Sequence, residues 1–106
     1  MAITYKVVVQ PIALRDMTDA VTYIADELKS PSAAERLSEK LVQGIESLAK
    51  LPTRCPTHRV SRPLKREYRQ LRVDNYLVLF TVSEENETVT VAHVLYARRS
   101  LDKHLE

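Results

Sequence analysis

Residues 68–82 read Tyr68-Arg69-Gln70-Leu71-Arg72-Val73-Asp74-Asn75-Tyr76-Leu77-Val78-Leu79-Phe80-Thr81-Val82, two runs of alternating side chains hinged on an Asp-Asn pair. Period-two alternation predicts strands over Tyr68 to Val73 and Tyr76 to Val82. Asp74-Asn75 can take the positive φ that a two-residue hairpin turn requires. In the second run Tyr76, Val78, Phe80 and Val82 fill one face, while Leu77 and Leu79 fill the other. A strand that is apolar on both sides is covered on both sides, so it belongs at the centre of its sheet.

The chain downstream supplies one neighbour. Glu84-Glu85-Asn86-Glu87 forms an acidic turn, and Thr88 to Tyr96 returns as a strand before a short basic tail. Upstream, residues 52–66 hold three of the five prolines and no periodicity, which predicts a loop. Before it, Leu37, Leu41, Ile45, Leu48 and Leu51 recur at helical spacing, with Ser30-Pro31 opening the helix and Pro52 closing it. Leu14, Met17, Val21, Ile24 and Leu28 mark an earlier amphipathic helix. So short a link between the two makes an antiparallel hairpin. Gly44, the one glycine, lies inside the second helix and predicts a close approach there. Ile3, Tyr5, Val7 and Val9 give an opening strand with one buried face, ended by Pro11.

The expected fold is therefore α+β in one domain over residues 1–106. An N-terminal strand and a helical hairpin are followed by a three-stranded antiparallel meander that completes one twisted, antiparallel sheet.

Composition narrows the function. One cysteine, Cys55, can neither staple a fold nor build a thiolate metal site. No apolar run approaches the roughly 18 residues of a membrane span, and no signal peptide opens the chain, so a cytoplasmic protein is expected. Charge is unevenly spread. Residues 1–51 carry six Lys/Arg against seven Asp/Glu, and residues 52–106 carry ten against seven. The excess gathers in Arg54, Arg59, Arg62, Lys65, Arg66, Arg69 and Arg72, opposed there only by Glu67. Arginine's planar fork suits phosphate or carboxylate, so this stretch reads either as a contact surface for an anionic partner or as a solvated face.

Several segments, taken in order, carry a family likeness: Val9-Gln10-Pro11 to Asp16, Tyr23-Ile24-Ala25, Ser30-Pro31-Ser32-Ala33-Ala34, and Leu48 to Pro52. Arg69 to Val73, Asn75-Tyr76, and Val94-Leu95-Tyr96-Ala97-Arg98-Arg99 complete the set. With them the chain resembles the RelE/ParE toxins of type II toxin–antitoxin systems. The resemblance implies a growth-inhibiting protein of plasmid-stabilization type, silenced by a cognate antitoxin in a hetero-oligomer. It also implies one of two targets. RelE-like members cleave mRNA in the ribosomal A site, while ParE-like members poison DNA gyrase without that chemistry.

RNA cleavage without a metal needs a proton donor and acceptor, together with cations that hold charge on the phosphorane. Carried onto this chain, the RelE-like pattern assigns Arg69, Arg98 and His104 to catalysis. Arg62, Lys65, Arg66, Arg72, Tyr96 and Arg99 are left to bind partner or nucleic acid. The pattern departs at Leu77, where a RelE-like enzyme carries an arginine. Leucine can neither hold phosphate nor donate a proton, and this tips the reading towards the gyrase poison, with the ribosome-dependent endonuclease as the alternative. His93 reads as a partly buried, hydrogen-bonded strand residue and Cys55 as inert. His58 has no partner at metal-ligand spacing, and no metal or cofactor is expected.

Overall fold

The computed structural model describes residues 3–58 and 66–97. Strand β1 (Lys6–Val9) leads into helix α1 (Pro11–Thr22), which continues as a π-helical turn over Tyr23–Glu27. Helix α2 (Pro31–Ser47) and a 3-10 turn at Pro52–Arg54 follow, then β2 (Arg69–Val73), β3 (Tyr76–Ser83) and β4 (Thr88–Tyr96). The expected α+β order and meander are both present. Asp74 takes the left-handed conformation at the hairpin turn, with φ of 52°.

The sheet runs β1-β4-β3-β2, and β1 lies parallel to β4. The sheet is thus mixed, where the alternation of the strands alone had suggested an antiparallel one. Helix α2 is the reason. Midway along it Lys40 reaches Asp74 at the β2–β3 turn. At its end the Ala49 carbonyl accepts the Tyr5 N–H, just before β1. The helix therefore returns the chain to the end of the sheet where β1 began, so β2 starts from there and runs in the same direction. In a meander β4 runs with β2, and hence with β1.

One face of the sheet packs on the hairpin. Val78 and Phe80 of β3 and Val89, Val91 and Val94 of β4 meet Ala13, Ala20, Leu37, Leu41, Ile45 and Leu48. The buried face of α1 is offset from the predicted stripe. Ala13 and Ala20 are buried and Met17, Val21 and Ile24 partly so, while Leu14 and Leu28 stay more than half exposed. Leu51, predicted to end the stripe of α2, instead sits beyond the helix in the left-handed region and is 68% exposed. Ile3 is likewise exposed, outside the strand it was expected to open. Ser30 stands at the N-cap of α2, but its side chain makes no capping bond.

Strand β4 carries a bulge. Leu79 pairs with His93 and Phe80 with Val91, leaving Ala92 as the extra residue. One extra residue flips the parity of every side chain beyond it. Val94 therefore joins Val89 and Val91 under the helices, and Leu95 moves to the opposite face. Leu95 therefore leaves the face of Val89 and Val91, and His93 pairs with Leu79 at the bulge.

At Gly44 α2 comes close against β2. A β-carbon there would stand 3.0 Å from Val73 Cγ2 and 3.4 Å from Leu71 Cδ2. Gly44→Val adds two further methyl groups at this contact. Overpacking of this kind typically costs about 1–3 kcal/mol, so thermal unfolding of Gly44→Val is expected several degrees below the parent. A melting temperature at or above the parent's would show that α2 can lift without cost.

Candidate functional site

The basic stretch does not act as one surface. Arg69, on the helix-facing side of β2, donates from Nη1 to the Cys55 carbonyl at 2.6 Å and to the Thr53 carbonyl at 3.3 Å. Its Nη2 lies 3.6 Å from Glu67. Arg54 turns back on α2, where Nη1 donates to the carbonyls of Lys50 (2.7 Å) and Leu51 (3.0 Å) and Nη2 donates to Ser47 Oγ (3.0 Å). A cation on the last carbonyls of a helix satisfies acceptors that have no partner within it and opposes the negative end of its dipole. Two arginines thus hold the segment between α2 and β2. The edge of β2 is capped by the same segment, with Gln70 N–H donating to the Pro56 carbonyl and His58 N–H to the Tyr68 carbonyl.

Arg72, exposed on β2, donates to the Asp74 carbonyl at 2.9 Å and keeps most of its surface in solvent. Arg66 and Arg69 meet at an open polar cleft of about 400 Å³, with Thr53, Thr81 and Ser83 on its walls. Glu67 and Glu84 line the same cleft, so its charge is balanced. Arg62, Lys65, Arg98, Arg99 and His104 lie outside the described residues. The structure therefore brings Arg66 and Arg69 together and sets Arg72 apart, further along β2.

The face of the sheet away from the helices carries an apolar patch beside Gln70 and Arg72. Tyr68, Leu77, Leu79, Ala92 and Leu95 form a second buried cluster there, with Ala97 packed against it. Leu77 is only 8% exposed. Where the resemblance would have put a phosphate-holding guanidinium, this chain has a closed hydrocarbon contact.

A larger concavity lies elsewhere, between the tip of the helical hairpin and the β2–β3 turn end of the sheet. It encloses about 1050 Å³. Tyr96 and Tyr76 stand edge to face on its floor, with ring centroids 5.6 Å apart. Such an edge-on pair is a packing contact, so Tyr96 is partly spent on Tyr76. Asp16 reaches in from α1, where Oδ2 accepts the Val94 N–H at 3.0 Å beside the bulge and lies 3.5 Å from His93 Nδ1. An aspartate between Ala13, Met17 and Ala20 on the buried side of a helix was a legible signal for this contact. The Arg36 side of the groove carried no such signal, because an arginine on a solvated helix face looks ordinary.

Cys55 is buried. Burial pushes its thiol pKa up, against the smaller opposing pull of Arg54 and Arg69. His58 lies with Nδ1 2.8 Å from Gln70 Oε1. Among the described residues no group of three His, Cys, Asp or Glu is placed to hold a metal, and no helix is long and apolar enough to cross a membrane.

Residues 7–101 match the family described as the ParE toxin of type II toxin–antitoxin system, parDE. No curated protein matches the chain. Among solved structures, a chain of the chromosomal ParDE system from P. aeruginosa superposes with a TM-score of 0.71 at 12% identity, over 90% of this chain and 98% of that one. A chain of the RelBE2 toxin–antitoxin complex from Mycobacterium tuberculosis gives 0.63 at 22%, over 89% and 92%. One from the archaeal RelE–RelB complex of Pyrococcus horikoshii OT3 gives 0.61 at 12%, over 92% and 99%. At these identities the likeness is one of fold, and the fold spans both kinds of toxin.

Two measurements check the local geometry. Arg69→Ala leaves the Cys55 carbonyl without its charged donor, and a lost hydrogen bond to a charged group is worth about 1.5–3 kcal/mol. The melting temperature should therefore fall by several degrees, whereas an unchanged value would leave Arg69 as a surface cation. Cys55 should alkylate far more slowly in the folded protein than after denaturation at pH 8. Because the folded thiol titrates above the unfolded one, the unfolded chain loses its proton first. The stability contributed by the neutral thiol is whole below roughly pH 8.5 and declines as pH rises towards the folded value. Equal alkylation rates in the two states would contradict the burial.

Proposed function

Because this chain belongs to the ParE toxin family of type II toxin–antitoxin systems, we propose that it arrests growth by poisoning DNA gyrase, without cleaving RNA, and that a cognate antitoxin holds it silent. The observation that carries this reading is Leu77. A RelE-like enzyme needs cations where charge develops on the scissile phosphate. Here that position lies inside the cluster of Tyr68, Leu79, Ala92 and Leu95. Arg69 adds support, since its guanidinium already serves the Cys55 and Thr53 carbonyls. To an acidic or nucleic-acid partner we assign Arg62, Lys65, Arg66, Arg72, Arg98 and Arg99.

The experiment expresses the protein without its antitoxin. Growth should stop, cells should filament with an SOS response, and purified gyrase should accumulate cleaved DNA. Ribosomes programmed with mRNA should remain uncut. Arg98→Ala should weaken toxicity while leaving the melting temperature nearly unchanged, the outcome expected of a partner contact whose charge contributes only about 0–1 kcal/mol to folding. Leu77→Arg should create no ribosomal cleavage and should destabilise the domain, because it places an unpaired guanidinium in hydrocarbon. Robust A-site cutting by the parent protein would overturn the reading and return catalysis to Arg69, Arg98 and His104. Unimpeded growth with soluble expression would count against a toxin of either kind.

A further inference from the structure

Strand β1 supports only the first half of β4. Its register covers Thr88 to Val91, and the Gln10 N–H closes it on the Val91 carbonyl just before α1 begins. From Ala92 onwards β4 has β3 on one side and, among the described residues, no strand on the other. The bulge enters where that support ends. The Ala97 N–H is donated across to the Asn75 carbonyl, so by antiparallel alternation the Val94 N–H points the opposite way, to the edge that β1 has left. Asp16 of α1 takes that N–H on Oδ2 at 3.0 Å, and the same oxygen lies 3.5 Å from His93 Nδ1.

Apolar burial specifies the register beyond the bulge only weakly. Val94 and Leu95 are consecutive, and both faces of β3 offer them hydrocarbon. A ladder without the bulge would set Ala92 opposite Leu79, His93 opposite Val78 and Val94 opposite Leu77. Val94 and Leu95 would then exchange faces without either leaving an apolar layer. What opposes the slip is polar. It would carry His93 beneath the helices beside Val78, and it would draw the Val94 amide away from Asp16. A slip of one residue moves the chain by about 3.4 Å and turns every side chain over. Arg98 and Arg99 follow Ala97 directly, so the register set at the bulge is also the register in which β4 hands the chain to that basic pair.

We propose that Asp16 is a positioning residue for the toxin's contact with its target. By accepting the Val94 amide it holds the bulge, and through the bulge the register in which β4 delivers Arg98 and Arg99. The role needs an acceptor oxygen, which a carboxamide supplies as well as a carboxylate. The inference rests on the reading of this chain as a toxin whose basic residues meet a partner.

Register is read by nuclear magnetic resonance on the purified, isotope-labelled chain. Val78 and Val94 form a pair without mutual hydrogen bonds, so their α-protons lie in close contact. A slip replaces that contact with one between Val78 and His93. Toxicity is read separately, as growth arrest on expression without antitoxin at matched soluble levels. Asp16→Ala should lose the Val78–Val94 contact and raise the inducer level needed for arrest at least tenfold. Asp16→Asn keeps an acceptor and should retain the contact, with toxicity within twofold of the parent. Deleting His93 sets Ala92 opposite Leu79 and leaves Val94 opposite Val78, which is a regular ladder in the native register. Asp16→Ala in that background should cost no further toxicity. The proposal is overturned if Asp16→Ala is as toxic as the parent, or if it loses toxicity with the Val78–Val94 contact intact. Should Asp16→Ala alone fail to fold, the deletion background decides, because a folded double variant that is silent beside a toxic deletion variant would also overturn the register role. A parent chain that does not arrest growth would remove the toxin reading and this role with it, a result distinct from any difference among the variants.

Discussion

Strand β3 must exclude water from both of its faces, and most of the structure follows from how that is done. Val78, Leu79 and Phe80 are wholly buried, and Leu77 nearly so. Burying each such side chain favours the fold by about 1.5–3 kcal/mol, and no single layer can cover the two sides. The helical hairpin covers Val78 and Phe80, with Gly44 allowing α2 to approach the edge strand. Leu77 and Leu79 close against Tyr68, Ala92 and Leu95. The bulge in β4 serves both layers, since it sends Val94 to the helices and Leu95 to the far face. Asp16 then takes the amide beside it, so the side chain of α1 is tied to the strand whose register has shifted.

That constraint bears on chemistry as well as stability. A phosphate-handling face needs cations that are fixed yet reachable by solvent-borne substrate. The far face of this sheet is closed by hydrocarbon around Leu77, and Arg72, opposite Leu77 on β2, is a described cation at its edge. The two arginines best held in place, Arg54 and Arg69, point their donors at carbonyl oxygens of residues 47–55. Guanidinium is suited to that work because its fork can serve several acceptors at once. A run of arginine in a loop therefore has two uses that composition cannot separate, holding the loop or holding a partner. Here the first use accounts for two of the seven basic residues between positions 54 and 72.

The elements were legible in the sequence because their periodicities are strong. Tyr76 to Val82 announced a central strand, and β4 was found at Thr88 to Tyr96, the residues it occupies. What alternation cannot show is a change of parity. The bulge moved Leu95 off the face of Val89 and Val91, and nothing in Thr88 to Tyr96 marks where the extra residue enters. The direction of β1 was hidden for a different reason, being set by where α2 delivers the chain. At the site, Arg69 was legible as important but not as a clamp, because its acceptors are backbone carbonyls fourteen and sixteen residues away. Asp16 could have been noticed as a carboxylate on an apolar stripe.

The π-helical turn at Tyr23–Glu27 connects the fold to the groove at the hairpin tip. The wider turn ends in Leu28 and in Lys29 at φ of 50°, and it leaves Tyr23 and Leu28 facing outwards. Such widened turns commonly mark functional segments of helices. Towards the tip Ala20, Ala34 and Leu37 are still buried, whereas Tyr23 and Leu28 stay more than half exposed. That leaves apolar surface at the tip, which in a small domain favours association with another chain. Its geometry is better explained as a surface for a partner than as part of the domain's own packing.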